Sequence, residues 1–212
     1  MNQATRWLGP LSGVVGVAVV FVSQGISGGT DSEPSDSPTA ILAEFRQSAD
    51  DIRLATFIAV LGLGFLLIYF GHMRTRLEAH GASWAANVFS IGGVALVGAI
   101  LVFVGADLTG AEAGDQGHTE VALGVIDFTW NGVWLFTPGL LALGAAVALA
   151  AFVNRALPAW LGAFGVLVAL SALAPWIGAP IFAIWVLAAS IEELVALGRG
   201  RQDSTDPTTS AA

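Results

Sequence analysis

The chain has 212 residues, of which 55% are hydrophobic and only 11% charged, with a formal net charge of −8. Soluble proteins carry charge on about 25% of their residues, so this composition and a mean hydropathy of +0.76 exclude a soluble enzyme and a nucleic-acid-binding surface. With no cysteine, disulfides, thiolate metal sites and a cysteine nucleophile are excluded too. Most carboxylates crowd into two connecting segments, so the acidity belongs to loops. All eight basic residues are arginine, a bias that points to the codon usage of a GC-rich bacterial genome.

A bilayer core of about 30 Å needs about 20 apolar helical residues. Six spans follow, at 7–29, 52–73, 82–106, 124–153, 157–174 and 179–198. The first contains Gly9, Ser12, Gly13 and Gly16 in small-xxx-small spacing, which lets helices approach closely. Before the second span, an acidic Ser/Pro-rich stretch reads as disordered. Ser37 and Pro38 then make a cap and first turn, and Ile41, Leu42, Phe45, Ala49 and Ile52 recur on one helical face. This predicts an external amphipathic helix over about 38–51, leading into span two or lying on the bundle rim.

The stretch 107–120, DLTGAEAGDQGHTE, reads as a solvated loop; it lacks the spaced carboxylates of an EF-hand and any zincin pattern. The uncharged run from Ala156 to Ile191 has 36 residues, about 54 Å as one helix and too long for one crossing. The prolines and glycine of APWIGAP, 174–180, supply the break, and a tight hairpin is expected there. Residues 199–212 read as a disordered cytoplasmic tail.

With the N-terminus inside, Arg6, Arg74, Arg76, Arg155, Arg199 and Arg201 are cytoplasmic and only Arg46 and Arg53 lie outside, which satisfies the positive-inside rule. The alternative is that residues 1–29 are a cleaved signal peptide, but the apolar stretch is long for a signal core. The expected fold is therefore an all-α, polytopic transmembrane bundle of six spans with both termini cytoplasmic.

Asp127 and Asn131 stand at the head of span four beside Trp130 and Trp134. Counted back from Val153, Asp127 lies about 39 Å along the helix, beyond the hydrocarbon core, so a polar collar with an aromatic belt is the leading reading. The rival reading is an outward-opening site in which Asp127 and Asn131 hold a cation or proton and Arg53 is the counter-charge. Glu192 and Glu193, near Arg199, Arg201 and Arg155, read as a salt-bridged inner cluster, with Glu192 as a candidate proton site. His72, His80 and His118 all lie at span ends, so no pair at matched depth holds a haem. No metal site, cofactor, or nucleophile with a base is read at membrane depth.

The opening LGPLSG, the acidic loop running into ILAEFRQSADDIRLATF, the exit YFGHMRTRLEAHG, and NRALPAWLGAFGVLVAL before a final apolar helix resemble uncharacterised bacterial, mainly actinobacterial, six-span membrane proteins that carry a domain of unknown function. The resemblance implies architecture only and carries no functional residues; the composition itself points to a multi-pass protein of the cell membrane. The expected role is a structural or accessory membrane component. Its expected partners are membrane lipid and, through its small-residue faces, a second copy or another membrane protein. The alternative is a small-molecule or proton-coupled transporter using Asp127, Asn131, Arg53 and Glu192; an enzyme ranks third.

Overall fold

A computed structural model describes residues 3–27 and 32–205, with side chains at 7–27 and 32–199. The tail 206–212 and the link 28–31 lie outside the described residues. Every regular element described is helical: α1 (Gln3–Ser27), α2 (Pro38–Ala79), α3 (Ser83–Gln116), α4 (Thr119–Asn131), a 3-10 turn (Gly132–Phe136), α5 (Thr137–Phe152), α6 (Ala159–Ser171) and α7 (Pro175–Thr205). Among the described residues, five stretches are long and apolar enough to cross a membrane: Trp7–Ser27, Pro38–Ala79, Ser83–Gln116, Thr119–Phe152 and Pro175–Arg199. The protein is an all-α bundle of multi-pass membrane type.

Helix α2 has 42 residues, about 63 Å and twice the thickness of a hydrocarbon core. Ser37 caps it, its hydroxyl accepting from the Ala40 N–H at 3.3 Å, and Pro38 opens its first turn, where a missing N–H costs nothing. The amphipathic segment is thus the first third of α2 and runs unbroken into span two. Exposed side chains along α2 change character at Arg53: Gln47, Asp50 and Asp51 precede it, while Leu54, Phe57, Val60 and Leu61 follow.

Residues 107–116, expected as loop, are the last turns of α3. Helix wins there because its small face packs: Gly110 lies against the Phe45 ring, Gly114 against the Arg46 backbone, and Arg46 Nε donates to the Gly114 carbonyl at 3.0 Å. Gly117, with φ 74°, ends the helix in a left-handed cap. The outer parts of α2 and α3 and the start of α4 enclose a small apolar core of their own around Ile41, Phe45, Ile52, Ala111 and Ile126. The larger core, centred on Tyr69, Phe89, Leu143 and Trp185, runs down the rest of the bundle.

The fourth span is not one continuous helix. Pro138 has no N–H to give the Trp134 carbonyl, so the Thr137 N–H bonds it in the tighter 3-10 pattern instead. The hairpin turn falls at 172–174, earlier than expected; Pro175 begins α7, and Pro180 remains inside it. Helix α6 has 13 residues, about 20 Å. Its end is tied to the start of α5 by the Thr137 hydroxyl, which donates to the Ala172 carbonyl at 3.1 Å, and Trp185 Nε1 donates to the Leu161 carbonyl at 3.3 Å to hold α7 on α6.

Gly9 on α1 and Glu193 on α7 both approach His72, near the end of α2. The first and last helices therefore meet at one end of the bundle, here the basic end, opposite the acidic end that holds Asp50 and Asp115.

Candidate functional site

At the basic end, His72 and Arg76 stand four residues apart on one face of α2. Glu193 joins them: its Oε1 lies 2.8 Å from His72 Nε2, and its Oε2 accepts from Arg76 Nη1 at 3.2 Å. Arg76 Nη2 donates to Glu192 at 3.3 Å. Of the expected partners, Arg155 and Arg199 make no ion pair with this cluster among the described residues, and the side chain of Arg201 lies outside them. Arg199 follows Glu192 by seven residues, which places it on the same helix face but about 10 Å along the axis, whereas α2 presents Arg76 directly across the interface.

One turn deeper, the hydroxyls of Tyr69 and Ser190 are fully buried side by side, with no partner beyond each other among the described residues. A Cβ on Gly13 would overlap the Ser190 oxygen and the Tyr69 ring, so the small-residue stripe of α1 is what allows three helices to close over this pair.

At the acidic end, Arg53 binds Asp50 at 3.1 Å, Glu112 at 2.9 Å and Asp115 at 2.5 Å. These three carboxylates occupy the guanidinium that had been a candidate counter-charge for Asp127. Asp127 is exposed, and its carboxylate has no hydrogen-bond or ion-pair partner among the described residues. Asn131, also exposed, turns back on its own helix, its Nδ2 donating to the Asp127 carbonyl at 2.9 Å. The four candidate polar residues thus separate into three places: Arg53 in an acidic cluster, Asp127 and Asn131 on an exposed helix face, and Glu192 in the basic-end cluster.

A different aspartate lines a cavity. Between α1 and α3, over a floor made by α2 and the first turns of α7, lies a groove of about 450 Å³. Its walls are apolar and aromatic, with Phe21, Phe70, Phe103, Phe136 and Phe182 among them. Toward the acidic end it meets a small polar corner of about 20 Å³ formed with Ser23, Ser27 and Thr56, and Gln24, Val104 and Asp107 belong to both. Asp107 is partly buried, and its carboxylate has no partner among the described residues.

Asp107 escapes a reading by uncharged runs because it is the first charged residue after Ala106. The signal lay in the periodicity: Val104, Asp107 and Ala111 share one helical face, and Gly110 and Gly114 beyond them favour continued packing. Among the described residues, no group of three His, Cys, Asp or Glu side chains converges as a metal site.

In comparisons with family models, curated proteins and solved structures, the chain matches none.

Proposed function

We propose that the chain is a multi-pass protein of the bacterial cell membrane with six passes and both termini cytoplasmic, acting as a structural or accessory component that presents its acidic end to a partner outside the cell. The observation that carries this reading is the helical projection at that end, which has its own apolar core around Phe45 and Ile126 and an exposed surface carrying Asp50, Asp51, Glu112 and Glu120.

The topology draws support from three features. Arginines divide six to two between the ends. The exposed surface of α2 turns from polar to apolar at Leu54. The first and last helices meet at the same end, which accords with an even number of passes; α6 is then the short fifth pass, its turn lying below the outer surface. Lipid covers the exposed apolar faces, and a second copy or another membrane protein contacts the bundle.

A photo-crosslinker at Asp51 in living cells should give one discrete adduct, lost when Phe45→Ala breaks the projection's core. Absence of any adduct from Asp51 and from Glu120 would sink the accessory reading. The transporter alternative keeps one supporting observation, and it has moved: the cavity lies at Asp107, not at Asp127.

A further inference from the structure

We infer that the groove between α1 and α3 binds an amphipathic primary amine, with the ammonium group on Asp107 and the apolar body along the aromatic wall. This goes beyond the accessory reading and does not depend on it.

Three observations select that chemistry. First, the groove is the size of a small-ligand site: about 450 Å³ falls within the roughly 300–1,000 Å³ range of such pockets. It is walled by phenylalanine side chains from four separate parts of the fold, Phe21 on α1, Phe70 on α2, Phe103 on α3 and Phe182 on α7. Second, its single charge is negative. The Asp107 carboxylate has no partner among the described residues, whereas Asp50, Glu112 and Asp115 already share the Arg53 guanidinium. A carboxylate beside aromatic faces favours a cation, which gains both charge pairing and cation–π attraction. Third, the polar corner is narrow. Its space of about 20 Å³ suits one water-sized group, hence a primary ammonium and not a quaternary one. Gln24, Ser27 and Thr56 around it offer oxygen acceptors for the remaining N–H bonds.

The placement fits an amphiphile. Asp107 lies beyond Val102, which is among the exposed apolar residues of α3, so the head group sits at the level where α2 changes from polar to apolar. The body then points down into the bundle. Little direct contact joins α1 to α3, each packing instead on α2, so a molecule already dissolved in the bilayer enters from the side. An intact two-chain phospholipid is too large for the groove, and an anionic one is repelled by Asp107.

The test uses the full-length protein in phosphatidylcholine nanodiscs and dansylcadaverine, a primary amine on a short chain with an environment-sensitive aromatic group. Saturable, blue-shifted fluorescence above that of empty nanodiscs is expected. The corresponding alcohol, in which a hydroxyl of similar size replaces the ammonium group, should bind at least tenfold more weakly. Asp107→Asn should do the same, while Asp107→Glu retains binding and Asp127→Asn leaves it unchanged. Val104→Trp, which fills the groove from α3, should abolish binding of charged and neutral probes alike. Equal binding of the amine and the alcohol, or full affinity in Asp107→Asn, would overturn the assignment. So would competition by phosphatidylethanolamine on replacing the nanodisc lipid, because the groove would then belong to lipid.

Discussion

His72 Nε2 and Glu193 Oε1 lie 2.8 Å apart although 121 residues separate them in the chain, and with Arg76 they clamp the last helix to the second at the basic end. Glu193 has only 14% of its side chain exposed, against 28% for Glu192. Removing the better-buried carboxylate leaves His72 without its partner and Arg76 with Glu192 alone. Glu193→Ala should destabilise the bundle by about 2–3 kcal/mol, below the full cost of orphaning a deeply buried charge, and Glu192→Ala by about 1 kcal/mol or less. Unfolding in mixed micelles measures both, and a double-mutant cycle of Arg76 with Glu193 should return a larger coupling than one of Arg76 with Glu192.

Two glycines of α1 should respond in opposite directions. Gly13 faces Tyr69 and Ser190 with no room for a side chain, while Gly25 has nothing within 4 Å of a notional Cβ. Gly13→Leu should abolish recovery of folded protein. Gly25→Ala should raise stability by about 0.5–1 kcal/mol, the helix-propensity gain at an open position. A loss of folded protein in Gly25→Ala would mean that α1 has a neighbour on that face.

The projection should open without the rest of the bundle. Phe45 is 1% exposed in the smaller core, and its truncation should cost about 3 kcal/mol or more. The expected result of Phe45→Ala is protease cleavage within 38–53 and 107–118 while the fragments containing Phe89 and Trp185 stay protected. Global loss of protection would show that the two cores form one cooperative unit.

Single cysteines introduced into this cysteine-free chain read the topology. At Ser35 and Gln116, both exposed, an impermeant thiol reagent should label intact cells; at Ala79 and Asn154 it should label only permeabilised ones. Leu173, at the apex of the α6–α7 hairpin and 77% exposed, should resist the reagent from either side because lipid covers it. Labelling of Leu173→Cys from outside would place that turn in water and lengthen the fifth pass.

What the sequence showed and what it hid follow from the physics of each signal. Hydropathy and length found the five long apolar helices, because a helix that crosses lipid must satisfy its backbone within itself. The period of Ile41, Phe45, Ala49 and Ile52 revealed a buried face, and the Ser37–Pro38 pair located where that helix begins. Counting from charge to charge failed at Asp107, where a helix continues past the first carboxylate because Gly110 and Gly114 accept Phe45 and Arg46 from α2. Partners across helices were equally invisible: nothing local tells Arg53 to choose Glu112 and Asp115, or Glu193 to choose His72, since those choices depend on rotation about helix axes that only packing fixes.

Two helices, α2 and α3, contribute side chains to both apolar cores without interruption, whereas the third strut, α4 to α5, is broken at 132–136 by the 3-10 turn. The molecule is therefore built as a lever with one jointed leg. Phe136, at that joint, also walls the Asp107 groove, so a bend at the 3-10 turn would change the width of the groove while α2 and α3 keep both cores in register.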